Sequence, residues 1–127
     1  MISASRVISF IGLLALAASL PLSEREENTA WAPTINYPNK WTVWCVGASH
    51  HVYWDASNPP PQITNPHGSI YLVTNNMVDF DHPLAQGFLL TAGVATITVP
   101  SVPPGWYQVD LDGDSGDWSA PFQITNC

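Results

Sequence analysis

The stretch Gly93-Val94-Ala95-Thr96-Ile97-Thr98-Val99-Pro100, then Pro103-Pro104-Gly105-Trp106-Tyr107-Gln108-Val109-Asp110-Leu111, and finally Trp118-Ser119-Ala120-Pro121-Phe122-Gln123-Ile124, decides the fold class. Apolar and polar residues alternate inside each run, the period of a strand with one face in a core. Ala95, Ile97 and Val99 fall on one face, as do Tyr107, Val109 and Leu111, and then Phe122 and Ile124. Pro and Gly fill the gaps, and Gly113-Asp114-Ser115-Gly116 supplies an acidic turn. This is the pattern of successive antiparallel strands.

The same reading extends toward the N-terminus. Leu84 to Leu90 is an apolar strand interrupted by Gly87, Asn75 to Pro83 a polar loop, and Ser69 to Thr74 a strand with Ile70 and Leu72 inward. Ser57-Asn58-Pro59-Pro60-Pro61 lacks three ladder donors and is a loop. His50 to Asp55 turns Val52 and Trp54 inward and His51, Tyr53 and Asp55 outward, and Trp41 to Val46 is the first strand. About seven short strands with no helical period predict an all-β, immunoglobulin/fibronectin-like two-sheet antiparallel sandwich over residues 41–127. Pro103-Pro104-Gly105-Trp106-Tyr107 suits a tyrosine corner, in which a Tyr hydroxyl bonds the backbone just upstream.

Ahead of that domain, Arg6 and the short apolar run Val7 to Ala18 read as a signal peptide over residues 1–19, cleaved after Ala17 or Ser19. Residues 20–40 read as a flexible leader that becomes extended near Tyr37-Pro38 and holds Glu24, Glu26 and Glu27. No second apolar span or anchor signal is read, so a freely secreted product, extracellular or at a cell wall, is expected, with no membrane after signal cleavage. What remains is roughly 105 residues, one domain by length. Without Arg6 the chain keeps Arg25 and Lys40 against 10 acids. That balance argues against nucleic acid or anionic membrane as partner. In an oxidising compartment Cys45 and Cys127 are expected to pair, the alternative being free thiols or an intermolecular bridge.

The elements Val43-Trp44 with Gly47, Val52-Tyr53-Trp54-Asp55, Ser57-Asn58, Ile70-Tyr71-Leu72 and Leu84-Ala85-Gln86-Gly87-Phe88 form an ordered set. Ile97-Thr98-Val99-Pro100, Gly105-Trp106-Tyr107, Gly113-Asp114-Ser115-Gly116 and Trp118-Ser119 with Phe122 and Ile124 complete it. In order and spacing the set resembles the N-terminal domain of the fungal cell-wall-synthesis proteins of the killer-toxin-resistance (Kre/Knh-like) type, found also in Ser/Thr-rich GPI-anchored wall proteins. The resemblance implies an extracellular or wall-associated β-sandwich, linked in yeast to assembly of β-1,6-glucan. It carries over no catalytic residues, and the Ser/Thr-rich stalk and anchor signal of the pattern are missing here.

Several constellations invite chemistry. Gly113-Asp114-Ser115-Gly116 matches the tetrapeptide around a trypsin-like nucleophile, but Asp117 follows where a second Gly belongs, and such a triad needs two barrels. An acidic turn joining the last two strands is the plainer account. Asp110, Asp112, Asp114 and Asp117 suggest a calcium loop, yet Ser115 replaces the loop glycine and Pro121 the closing Glu. A solvated acidic hairpin is expected, with no carboxyl buried enough to act as a glycosidase acid. His50 and His51 point to opposite faces and cannot chelate together, and His67 and His82 sit beside loop prolines. No metal and no cofactor is expected.

Six tryptophans are many for so small a chain. Trp54 reads as core. Trp106 faces outward and Trp118 sits at the rim of the acidic turn. With Tyr71, Trp44 and Tyr53 they form a candidate platform on which sugar rings stack. The alternative covers these tryptophans with the leader, the proline loops or a partner. The expectation is a non-enzymatic wall module, partnered by cell-wall polysaccharide, with β-glucan the first candidate, or by a wall protein. A protein-interaction or structural module and a His-based secreted metalloenzyme are the competing classes.

Overall fold

The computed structural model describes residues 30–127; the expected signal peptide 1–19 and the expected leader up to residue 29 lie outside the described residues. The described strands, in chain order, are β1 Ile35–Tyr37, β2 Val43–Cys45, β3 Ser49–Trp54, β4 His67–Thr74, β5 Met77–Val78, β6 Ala85–Leu89, β7 Val94–Thr98, β8 Gly105–Asp112, β9 Gly116–Trp118 and β10 Phe122–Thr125. They make two sheets. The smaller runs β1-β3-β7, and the larger β2-β10-β8-β4-β5, with β6 also on β4 and β9 also on β8. The expected all-β, two-sheet architecture is therefore present.

Alternation places the inner faces as expected. Val52 and Trp54 of β3, Ala95 and Ile97 of β7, Ile70 and Leu72 of β4, Tyr107, Val109 and Leu111 of β8, and Phe122 and Ile124 of β10 meet in one core with Trp44, Leu90 and Val99. The Trp54 indole N–H donates to the Leu90 carbonyl at 2.6 Å, so the buried ring leaves no orphan donor. Leu90 itself sits in a short 3-10 turn, Leu90–Ala92, between β6 and β7. The Tyr107 hydroxyl donates to the Pro103 carbonyl at 2.6 Å, the predicted corner. Gly87 interrupts β6 as a bulge, with φ of 82° and a register shift between Gly68 and Ser69 on β4.

Three departures from the sequence reading have physical causes. First, the leader does not extend to residue 40. Ile35–Tyr37 pairs with β3 (Ile35↔Trp54, Tyr37↔Tyr53), and Ile35 is buried, so the domain begins ahead of Trp41. A three-residue strand is too short to show a period; backbone donors tie it down, with Asp55 N–H to Thr34 O at 2.9 Å. Second, the Asn75 to Pro83 loop contains β5. Asn75 and Asn76 both adopt positive φ, the geometry of a type I′ hairpin turn. Third, the sandwich is not wholly antiparallel, because β2 runs parallel to β10 (Val43↔Gln123, Trp44↔Ile124, Cys45↔Thr125). Parallel neighbours need a long crossover, and here nearly the whole domain is the connection.

That parallel pair brings the two cysteines together. Cys45 and Cys127 are bonded, with Cα atoms 5.5 Å apart and a sequence separation of 82. Closing so long a loop restricts the unfolded chain, and the bridge also fastens the C-terminal strand. The double variant Cys45→Ser/Cys127→Ser is expected to lose roughly 2–4 kcal/mol of unfolding free energy. Urea denaturation of oxidised wild type against the variant checks this; equal midpoints and slopes would show that the bridge contributes nothing to stability.

Candidate functional site

The inner face of β8 settles what its outer face can carry. With Tyr107, Val109 and Leu111 in the core, Trp106, Gln108, Asp110 and Asp112 stand on the far side of the larger sheet. On the neighbouring strand, Tyr71 pairs with Asp110, Val73 with Gln108 and Ser69 with Asp112. On the other side of β8, Trp118 of β9 pairs with Asp110 and Gln123 of β10 pairs with Trp106. One cross-strand row therefore reads Trp118, Asp110, Tyr71. Trp106 lies four residues further along β8, about 13 Å from that row by strand rise.

Three of the five stacking candidates share this face. Trp106 is 58% exposed and Trp118 39%, while Tyr71 is half-buried with its ring edge-on to the exposed Phe80, centroids 5.0 Å apart. Beside Trp106 is a hollow of about 180 Å³, lined by Val73, Asn75, Asn76, Gln108 and Pro121. Its apolar floor and amide rim have the composition that holds a sugar: a ring face to stack on and donors and acceptors for hydroxyls. Gln108 is held in place by donating from its amide nitrogen to the Ser119 carbonyl at 2.9 Å. The hollow's amides were missed in the sequence. Their signal was the Asn75-Asn76 turn, which folds back toward β8 only because β4 pairs with it.

The other two candidates do not join. Trp44 is fully buried, stacked on the His50 ring at 5.0 Å and edge-on to Phe122 at 4.7 Å. Its indole N–H donates to the Tyr37 hydroxyl at 3.1 Å. A residue so packed offers no face to a ligand, and Trp44 is a core residue. On a strand of three residues, the inward choice depends on which neighbour β2 pairs with. Tyr53 is 46% exposed but stands on the outer face of the smaller sheet, near His51 and Tyr37. It belongs to the opposite side of the sandwich.

The acidic hairpin also differs from its expected solvated form. Gly113-Asp114-Ser115-Gly116 does form a turn, joining β8 to β9 ahead of β10, with Gly113 N–H donating to Ser115 O at 3.0 Å. Its carboxylates, however, accept backbone donors from distant segments. Asp114 accepts from Trp31 N–H at 3.0 Å and Asn65 N–H at 3.1 Å, and Asp117 accepts from Ile35 N–H at 3.2 Å. Asp110 is 3% exposed. Burial pushes its carboxyl up to about 7, helped by a hydrogen bond with Asp112 and by the charges of Asp112 and Asp117. The Trp118 indole N–H pulls in the opposite direction. The expectation that no carboxyl here is buried is thus wrong. Beside it lies β9, which pairs with β8 and sets Trp118 opposite Asp110, and which is too short to be seen as a strand in sequence.

The histidines are dispersed. His50 lies against Trp44, and burial with the nearby His51 holds its pKa below the ordinary value. His51 contacts the Thr96 hydroxyl at 2.9 Å, and His82 pairs with Asp79 at 3.0 Å in a surface loop. Among the described residues, no group of three or more His, Cys, Asp or Glu converges in metal-holding geometry.

The burial difference between two tryptophans gives a direct check. Trp44→Ala is expected to cost about 3–5 kcal/mol, because a large ring leaves a cavity in a closed core. Trp106→Ala should stay within about 0.5 kcal/mol of wild type. Chemical denaturation of both variants measures this, and a neutral Trp44→Ala would contradict the packing. Comparison of the chain with protein-family models, with curated proteins and with solved structures finds no match.

Proposed function

We propose that the chain is a secreted, non-enzymatic, cell-wall-associated module whose outer large-sheet face binds or organises glycan, β-glucan in the first instance. The observation that supports this most is the shared face itself. Trp106, Trp118 and Tyr71 present ring surface on one side of one sheet, with Gln108 between Trp106 and the other two and the Asn75-Asn76 turn beside Trp106. Flat aromatic faces suit the C–H faces of sugars, and fixed amides suit their hydroxyls. The net charge of −7 fits a neutral partner better than a nucleic acid or an anionic membrane. The resemblance to the Kre/Knh-like wall proteins supports the compartment and the polymer. We further take the sandwich to be of immunoglobulin type, for which the Tyr107–Pro103 corner speaks.

Binding without bond cleavage fits the carboxyls on this face. Asp110 and Asp112 bond each other, closer together than the separation of about 5 Å or more at which glycosidase carboxyls flank a sugar. A second reading, a module that docks another wall protein, is favoured by one feature away from the platform. Trp41 and Val43 are exposed at β2, which lies at the edge of the larger sheet.

Retention on insoluble β-glucan and on chitin tests the proposal. Trp106→Ala and Trp118→Ala are each expected to weaken retention about tenfold, the effect of one well-packed aromatic contact. Tyr53→Ala, on the opposite sheet, is the control and should bind as wild type. Retention unchanged in both tryptophan variants removes the platform. No retention of wild type by either polymer favours the protein-docking reading, which a Trp41→Ala variant then probes.

A further inference from the structure

The β8–β9 hairpin gathers four carboxylates with no cation paired to them among the described residues. Among the described residues Lys40 is the only Lys or Arg, and its ammonium lies over the Trp41 ring at 5.0 Å. The one ion pair among those residues is His82 with Asp79, in the loop after β5. Asp114 and Asp117 are satisfied by backbone donors of the N-terminal segment and the loop at Asn65. Asp110 and Asp112 have no such donors among the described residues. A Cβ placed on Gly116 would lie 2.6 Å from Asp112 Oδ1 and 3.4 Å from Asp110 Oδ1, so both carboxyls converge over the bare backbone of β9.

Around Asp110 the facing groups are few. Asp112 is on its own strand, Asp117 and the Trp118 indole are on β9, and Tyr71 is across on β4. None is cationic. With one proton between them, Asp110 and Asp112 form a hydrogen-bonded pair that β9 can pack against. With none, two adjacent carboxylates repel in a poorly hydrated place, and exposing them to water is the relief.

We propose that the Asp110–Asp112 pair is a pH-dependent latch on the β8–β9 hairpin, closed while the pair shares a proton and loosened when both carboxyls ionise. Opening β9 moves Trp118 off the face that carries Trp106 and Tyr71 and weakens the grip on Ile35 through Asp117. The consequence for glycan rests on the proposed function; the latch itself does not. The sign follows from proton linkage. Asp110 binds its proton more tightly folded, at about 7, than unfolded, at 3.8. The stabilisation is complete below about pH 4, falls as pH rises, and is gone above about pH 7. His50 works the other way in part of this range, because its folded value is lowered. Wild type must therefore be compared with a variant at each pH.

The direct test is carboxyl-carbon NMR of the full chain titrated from pH 3 to 9, with hydrogen-exchange protection of Gly116–Trp118 and thermal melting at pH 5 and 8. Asp110 is expected to titrate near neutrality, and β9 protection to drop at least about tenfold from pH 5 to 8 while β3 and β7 keep theirs. Asp110→Asn, which keeps the shape of the protonated acid, should remove that drop and melt at least about 5 °C above wild type at pH 8. Asp112→Asn should lower the Asp110 titration toward the ordinary carboxyl range. Titration of Asp110 entirely below pH 5, or β9 protection with the same pH dependence in wild type and Asp110→Asn, overturns the latch. Wild-type glucan retention that is lower at pH 8 than at pH 5 supports the coupling of latch to platform. Equal retention at both, with the NMR result standing, overturns that coupling alone.

Discussion

The structure turns on β8, a strand with partners on both sides and work on both faces. Its inner residues Tyr107, Val109 and Leu111 close the core, against Ile70 and Leu72 of β4. Because side chains alternate, the same choice commits Trp106, Gln108, Asp110 and Asp112 to the outer surface. A one-residue slip would exchange the two sets, placing carboxylates in the core. The hydrophobic demand of the sandwich thus sets the register, and the register assembles the platform. The candidate site is a consequence of the core rather than an addition to it.

Around this strand the electrostatics are unusual in one respect. Among the described residues Lys40 is the only basic side chain other than His, and no Lys or Arg there pairs with a carboxylate. It uses main-chain N–H groups instead: those of Trp31, Ile35 and Asn65 donate to Asp114 and Asp117. Donors fixed by the backbone hold a carboxylate without the entropy loss of a long side chain. They also join segments more than 45 residues apart, so the acidic turn acts as a fastener for the N-terminal strand and the proline-rich loop. Asp110, which has no main-chain donor among the described residues, is the member whose charge is sensitive to its burial.

Much of the fold was legible because burial enforces period. Val52 with Trp54, Ala95 with Ile97, and Val109 with Leu111 are inward where alternation put them, and the Tyr107 corner formed at its Pro-Pro-Gly signal. Short elements were not legible. β1, β5 and β9 have two or three residues each and exist through their neighbours: β3 and Asp117 for β1, the Asn75-Asn76 turn for β5, and β8 for β9. For the site, Trp106 and Trp118 were correctly outward. Trp44 was misplaced because a three-residue strand reveals its inner face only once its parallel partner β10 is known.

Local sequence alone determined the all-β class, the strands of five or more residues and which of their side chains face inward, since these follow from alternation and turn chemistry within a few neighbouring residues. Tertiary structure alone decided which outward side chains lie together. Tyr71, Asp110 and Trp118 meet because three strands align, Tyr53 is excluded because its strand belongs to the other layer, and Asp110 is buried in a sheet whose strands β4 and β9 flank it on both sides. Proximity across strands depends on pairing partners and register, and no local period encodes either.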